Sequence, residues 1–592
     1  MTEREIAQKE ERPEVKTFPI PFASKNITIN INSPSKPSKE QIINQAFKLH
    51  SQGKIYEAAK YYQLFIDKGF TDHIAFSNYG VILKDLGKLK DAEILTRKAI
   101  KINSNFSEAY SNLSIILRDL GKLKDAEMSA RKAIEITPDL VDAHINLAII
   151  LRDLENAKDA FDSYFKVIEL NPEISNIYIS IITLLSESDP SHLDKFKLNK
   201  VLDIVLEKKD VRHQELFNAF NFLYGNRLIS NFSKLDFSSV EFKTIINNKL
   251  IINAFKKIIF KDSELEKVLT NCRAYMCNRI AKNSNTINFH ELQFIIALGE
   301  QCFLNEYVYS LTEEENISID KIISQVRGYE LNEIKVSILA CYFPLYKLLE
   351  GIPSLKSFHS YDKRFMELMY SQILEPLQEI ELSNNIKKIG SINNLISQEV
   401  KVQYEENPYP RWRYGFLFGS NKISINNVIN NQIKPNKIHF HMPNREIKVL
   451  IAGCGTGNQI LQTQRYKNAN IIALDLSSSS LSYAQRKMNE IGINNVELVQ
   501  MDILDVELLE EKFDIIECMG VLHHMQKPIE GLQKLLSVLQ NDGFIKLGLY
   551  SELARQDIVK ARKYIATNKL GSNDKDIRDF RKRIISDDLT EL

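Results

Sequence analysis

The segment GKLKDAE stands at Gly87 to Glu93 and again 34 residues on, at Gly121 to Glu127. One period back lies Gly53 and one period on lies Glu155, and a small residue recurs on the same spacing as Ala58, Ala92, Ala126 and Ala160. A fixed period of this length commits the chain to stacked, self-similar units, because one such unit cannot bury its apolar face alone. Four units are predicted. Each reads helix, short turn, helix, as in SNLSIILRDLG followed by KLKDAEMSARKAIEI, with apolar residues three and four apart. The glycine supplies the left-handed residue that ends the first helix, and the alanine lets the two helices approach closely. The fourth unit has Glu155 in place of the glycine but keeps Ala160 and the ending IELNP.

This pattern resembles the tetratricopeptide repeat family over about Gln41 to Pro172. Pro138 and Pro172 fall where that family often closes its second helix, while Ser104 and Phe70 depart there. The resemblance implies an all-α solenoid with a concave groove, so a protein or peptide partner is expected.

At 592 residues the chain exceeds what one hydrophobic core usually organises. Residues 1–38 are polar and carry Pro13, Pro19, Pro21, Pro34 and Pro37, which predicts a flexible N-terminal arm. Between 173 and 400 the helical texture continues without a repeat, as in KLNKVLDIVLEK and MELMYSQILEPLQEI, and predicts an all-helical middle domain. Within it, His290 to Leu311 is dense in aromatic and polar residues on one expected helix. Aromatic stripes at helical spacing are packing, so Glu300, Cys302 and Glu306 receive no catalytic role. The expected domains are therefore 1–38, 39–172, 173–400 and 401–592.

The 77 basic and 76 acidic side chains nearly cancel, so no nucleic-acid track is expected. No stretch approaches the roughly 18 apolar residues of a spanning helix, and the charged start MTEREIAQKEERPEVK lacks the apolar core of a signal peptide. A cytoplasmic protein is expected. The six cysteines form no CxxC pair, which predicts buried free thiols, with no disulfide framework and no metal site.

After Ser420 the texture changes to short apolar runs alternating with helices, the pattern of a parallel sheet with crossover helices. The first strand, Ile447 to Ala452, runs into Gly453, Cys454, Gly455, Thr456 and Gly457, and a helix starts at about Asn458. Glycines at every second position allow a tight turn and let backbone amides approach a bound nucleoside. A dehydrogenase fingerprint would have glycine or alanine at 458, and a phosphate-binding loop a Gly-Lys-Ser/Thr; the chain has neither. A second strand, Asn470 to Leu474, ends in Asp475, 18 residues after Gly457. A carboxylate there is placed to accept both ribose hydroxyls of a nucleoside. Further strands are predicted at Val496 to Gln500, Phe513 to Glu517 and Gly543 to Leu549.

What these residues resemble is the class I methyltransferase family, whose cofactor is S-adenosyl-L-methionine. The fold class is then multidomain: an all-α tetratricopeptide-like solenoid, a helical middle domain, and an α/β Rossmann-like methyltransferase domain with a mainly parallel sheet. The resemblance implies cofactor contacts from Gly453, Cys454, Gly455, Thr456, Gly457, Asp475 and Leu476. It implies an adenine contact from Asp502 and Ile503, and an active-site floor near Glu517, Met519, His523 and His524. His523 or His524 is the candidate base for an acceptor hydroxyl or amine, since imidazole titrates in the useful range. The segment YEENPYPRW, Tyr404 to Trp412, resembles the aromatic and proline stretch that closes over the cofactor in some members.

Two departures matter. Many relatives carry an acid two places before the first motif glycine, where this chain has Ile451. The family sheet usually gains two more strands after the fifth, whereas ELARQDIVKARKYIA and KDIRDFRKRII read as two polar helices, so either the sheet is short or the chain is a fragment; a C-terminally incomplete domain is expected, because an uncovered edge strand is a liability that proteins manage. The Asn-Pro-Pro-Tyr type of motif that marks amino-group methylation of adenine or glutamine is absent, and CMGV stands in its place. The methyl acceptor, a small molecule or a protein, stays unidentified. A catalytically silent scaffold and a nucleotide-binding oxidoreductase are the competing readings.

Overall fold

The computed structural model describes residues 37–282, 287–328, 330–415, 422–433, 438 and 445–586. The arm predicted over 1–38 lies, except for 37 and 38, outside them. The chain divides into two compact units, Met1–Leu198 and Asn199–Leu592.

The first unit is a series of antiparallel helix pairs: Lys39–Ser51 with Ile55–Asp67, His73–Asp85 with Leu89–Ile102, Ser107–Asp119 with Leu123–Ile136, and Val141–Asp153 with Ala157–Leu170. Ala58, Ala92, Ala126 and Ala160 are fully buried, as close helix approach requires. Gly53, Gly87 and Gly121 have φ of 71°, 78° and 77°, and Glu155 holds the same left-handed turn at φ 60°, so the fourth unit keeps its geometry without the glycine. A buried polar ladder joins successive first helices: the Asn112 amide donates to Ser77 Oγ at 2.9 Å and that of Asn146 to Ser111 Oγ at 2.9 Å. The helix Ser175–Glu187 continues the series, with Tyr178 bonded to the Pro172 carbonyl as His144 is to that of Pro138, one period earlier.

In the second unit the helix Phe289–Leu304 is buried along nearly its whole length and forms the axis of a helical block. Phe294 packs among Phe232, Phe237, Phe242 and Phe255, in keeping with the packing role expected for this segment. The helix ends at Leu304 rather than running to Leu311, because Glu306 and Tyr307 take positive φ.

The sheet has six strands, β1 (Lys387–Lys388), β2 (Ile447–Ala452), β3 (Ala469–Asp475), β4 (Val496–Gln500), β5 (Phe513–Met519) and β6 (Leu539–Gly548). Their order is β1-β4-β3-β2-β5-β6, and every neighbouring pair is parallel. Side chains alternate faces along β2. Val449 and Ile451 join Ile471, Ala473, Leu481 and Ala484 in one core, and Leu450 and Ala452 join Leu474, Val499, Ile516 and Leu535 in the other. Strands buried on both faces read as continuous apolar runs, which is why the sequence marked them.

Other expectations need correction. The stretch 173–400 is not wholly helical: Lys387 and Lys388 pair with Val499 and Gln500 and add an edge strand. The last strand starts at Leu539, not Gly543, because Leu539 pairs with Phe513 before an irregularity re-registers Phe544 opposite Ile515. The helix Leu395–Glu406 runs across the boundary expected at 400. After β6 come the helices Gln556–Thr567 and Asp574–Ile585, as the sequence predicts. Among the described residues no helix is long and apolar enough to cross a membrane.

Candidate functional site

β2 lies at the centre of the sheet, with β3 on one side and β5 on the other, so the chain reverses its direction of winding there. A parallel sheet leaves a crevice at the carboxyl ends of the strands flanking such a point. The turn Gly453 to Gly457 sits in that crevice. Gly453 and Gly457 have φ of 80° and 88°, and a Cβ on either would meet Val521 Cγ2 at 2.3 Å or Ala484 Cβ at 2.8 Å. Gly455 differs: a Cβ there meets nothing within 4 Å, and the same holds for Gly520 beyond β5. The two glycines face open space, where a ligand's atoms can approach backbone.

Asp475 closes the other side. Its carboxylate accepts from the Gly455 N–H at 2.8 Å and from the Ser477 N–H at 3.0 Å, so the acid is held against the glycine turn. Burial pushes its carboxyl up from the ordinary value, against the backbone N–H groups of Ser477, Gly455 and Leu476 that favour the charge. Asp502 is buried and caps the short helix Ile503–Leu509 by accepting from the Leu504 N–H at 3.0 Å. Next to it a cavity of about 190 Å³ is lined by Asn394, Ser397, Leu504, Met525, Gln526, Lys527 and Glu530. None of the site residues predicted from the sequence lines that cavity.

Thr456 and Cys454 are buried within the turn, and the Cys454 thiol, raised by burial, donates to the Gly455 carbonyl. All six cysteines are free and buried. Among the described residues no group of acids, histidines and cysteines could hold a metal.

Glu517 turns to protein partners. It is fully buried, and its oxygens accept from Arg465 Nη2 at 2.8 Å, the Tyr466 hydroxyl at 2.6 Å and Gln459 Nε2 at 3.1 Å. Ile451 is its register partner across β2 and β5 and lies in the apolar core. Met519 is partly exposed, and a Cβ on Gly548 would meet its Cε at 2.6 Å. Beyond it, the His523 ring lies 4.3 Å from that of His524 and 3.9 Å from that of Tyr550. Both ring nitrogens of His523 are buried without a hydrogen-bond partner. Burial lowers the His523 pKa, followed by His524, Arg555 and Arg562; burial lowers that of His524, followed by Arg562 and Arg555.

The aromatic segment ahead of the sheet lies on this turn. Trp412 Nε1 donates to the Thr456 carbonyl at 2.9 Å, Thr456 Oγ1 donates to the Pro410 carbonyl at 2.7 Å, and Ser477 Oγ donates to the Tyr404 carbonyl at 2.9 Å. Glu405 caps the helix Ser478–Ile491, accepting from the N–H and hydroxyl groups of Ser478 and Ser479. Burial, followed by the charges of Asp475, Tyr550 and Tyr409, raises the Tyr404 phenol.

Sequence reasoning missed what anchors this segment. Arg411 pairs with Glu306 at 2.8 Å and Glu379 at 3.5 Å, Arg413 pairs with Glu300, and Arg486 pairs with Glu379 at 2.8 Å and Glu375 at 3.3 Å. The acids stand on the helical block, and Arg486 on the helix that Glu405 caps. A run of arginines around an aromatic residue, RWR, was the only local signal.

A family model described as methyltransferase domain matches residues 449–543, and one described as tetratricopeptide repeat matches residues 107–140. A tRNA U34 carboxymethyltransferase of Desulfotalea psychrophila is 25% identical over 173 residues, 28% of this chain and 53% of that protein. A ubiquinone biosynthesis O-methyltransferase of Actinobacillus pleuropneumoniae is 30% identical over 103 residues, 17% of this chain and 43% of that protein. The protein MamA of Desulfovibrio magneticus, 18% identical, covers 29% of this chain and 97% of its own at a TM-score of 0.25. The chain spans from 29% to 54% of the length of the first curated relatives it matches. Residues 449–543 are a methyltransferase domain, and residues 107–140 are a tetratricopeptide repeat.

Proposed function

We propose that this chain is an S-adenosylmethionine-dependent methyltransferase acting on a small-molecule or protein acceptor, with the repeats serving to bind a protein partner. The observation that carries this reading is the bond from the Gly455 N–H to Asp475 across the central crevice, beside the open space over Gly455 and Gly520. Asp475 presents acceptors for ribose hydroxyls, and Asp502 with Ile503 stands where an adenine would be read. The open faces of the two glycines fit a bulky nucleoside without displacing a side chain.

When bound, S-adenosylmethionine supplies an electrophilic methyl group on a sulfonium. The chain's part is alignment: the glycine turn, held from outside by Trp412 and Pro410, sets one wall, and the loop after β5 sets the other. His523 and His524, kept neutral by their surroundings, are placed to take the proton that an acceptor hydroxyl or amine releases. The names of the relatives, which span tRNA U34 and ubiquinone biosynthesis, do not converge on one acceptor.

Calorimetry of the full chain with S-adenosylmethionine tests this. Saturable heat that is lost in Asp475→Ala supports it, and no heat with either protein refutes it in favour of a silent scaffold.

A further inference from the structure

Glu517 is fully buried, yet it stands three residues before Gly520, where β5 enters the crevice. Ile515 shares the core of Val449 and Ile451, and Ile516 belongs to the core on the opposite face, so Glu517, two residues on from Ile515, lies on the Ile451 face. Ile451 is its register partner, so an acid at 451 would stand beside a buried carboxylate, and neighbouring like charges disfavour ionisation. The carboxylate of this face thus sits one strand over, and it is neutralised there: Arg465 Nη2 donates to it at 2.8 Å and the Tyr466 hydroxyl at 2.6 Å.

Gln459 makes its third contact. It is the second residue of the helix Asn458–Thr463, which starts directly after Gly457. Its Nε2 donates to Glu517 Oε2 at 3.1 Å, so the side chain crosses from the turn after β2 to β5, the two strands between which the crevice opens. An ionised carboxylate only accepts, so Glu517 fixes the amide with its NH2 group inward. The amide oxygen Oε1 is then turned away from Glu517, on a side chain that stays partly exposed.

We propose that Gln459, oriented by Glu517, binds the ammonium at the amino-acid end of S-adenosylmethionine through its amide oxygen. The inference rests on the methyltransferase reading. With Asp475 on β3 taking the ribose, the other end of the cofactor falls on the β5 side of the crevice, where Gly520 leaves open space. An ammonium only donates and an amide oxygen only accepts, so the bond is charge-assisted. Arg465 and Glu517 cancel each other's charge, which leaves the amide dipole, rather than a cation, facing the ammonium.

Calorimetry of the full chain with S-adenosylmethionine, S-adenosylhomocysteine and 5′-methylthioadenosine tests this, since the last keeps the nucleoside but has no amino-acid end. Gln459→Met keeps the length of the side chain and removes the acceptor. It should bind the first two ligands about tenfold more weakly, as loss of a charge-assisted bond implies, and 5′-methylthioadenosine within about twofold of the parent. Glu517→Gln, checked for fold by circular dichroism, should show the same selectivity with a smaller loss, because the amide is no longer fixed. Gln459→Met decides alone where that variant does not fold. Three results would overturn the inference and leave the methyltransferase reading standing: unchanged affinities in Gln459→Met, an even loss across the three ligands in either variant, or a parent that binds 5′-methylthioadenosine as tightly as S-adenosylhomocysteine. A parent that binds none of the three overturns the methyltransferase reading itself, and this inference with it.

Discussion

Trp412 donates its indole N–H to the carbonyl of Thr456 at 2.9 Å, so the only tryptophan of the chain is bonded to the backbone of the glycine turn. The indole also carries Lys487 over its ring at 5.2 Å, and the Tyr483 hydroxyl donates to the Trp412 carbonyl at 2.5 Å. The turn is thus held from the segment before the sheet as well as from β2.

Trp412→Phe keeps an aromatic ring but deletes the donor. Losing one such bond costs about 1 kcal/mol, so affinity for S-adenosylmethionine should fall roughly fivefold, read by calorimetry, with the fold intact by circular dichroism. Unchanged affinity would show that the turn holds its shape without the indole.

Glu379 sits between two arginines, accepting from Arg486 and pairing with Arg411. Removing the acid leaves both cations poorly compensated, and breaking a buried pair in this way costs about 3–5 kcal/mol. Glu379→Ala should lower the urea midpoint accordingly, and Glu379→Gln, which keeps a hydrogen-bond acceptor, should lose less. Equal losses for the two would show that charge is not what the network uses.

Burial works against the charge of Glu405, but the Ser479 hydroxyl and the N–H groups of Ser478 and Ser479 outweigh it and hold its carboxyl below the ordinary value. A depressed carboxyl stabilises the fold above its unfolded pKa of about 4.3, and that contribution is lost as pH falls through the lower folded value. Glu405 is half-exposed, so solvent screening leaves a cap worth about 0.5–1 kcal/mol. Glu405→Gln should therefore be less stable than the parent at pH 7 by this amount. Denaturant titrations repeated in acid should bring the two together, and a gap that persists below about pH 3 would count against the charge.

Arg555 and Arg562 repel a proton from the two imidazoles, and burial acts in the same direction. The acidic limb of a methyl-transfer pH profile should lie below the ordinary imidazole value of about 6.5. Arg562→Gln removes a cation, so the limb should move to higher pH. A limb that stays in place in this variant excludes these histidines as the base.

Glu155 adopts φ 60° where the other units have glycine. A side chain in that region costs about 1–2 kcal/mol, part of which glycine returns through its freer unfolded chain. Glu155→Gly should raise the stability of the repeat unit by about 0.5–1 kcal/mol in thermal melts.

The sequence by itself determined the features whose causes are local. The period, the left-handed residue at each inter-helix turn and the alanine contact depend on residues within one unit. The glycine turn, Asp475 and Asp502 follow from where strands end in consecutive βα segments, so Ile447–Ala452 and Val496–Gln500 stand where expected. Only the tertiary structure decided the rest. Lys387–Lys388 is too short to carry a pattern of its own and becomes a strand because β4 offers an edge. Glu300 and Arg413, 113 residues apart, meet because the helical block packs beside the sheet, and Glu517 faces Arg465 and Tyr466 because the fold brings their segment against β5. Backbone conformation is set by neighbours in sequence and leaves its mark there. Charge pairing and the surroundings of His523 are set by neighbours in space, which the order of residues does not display.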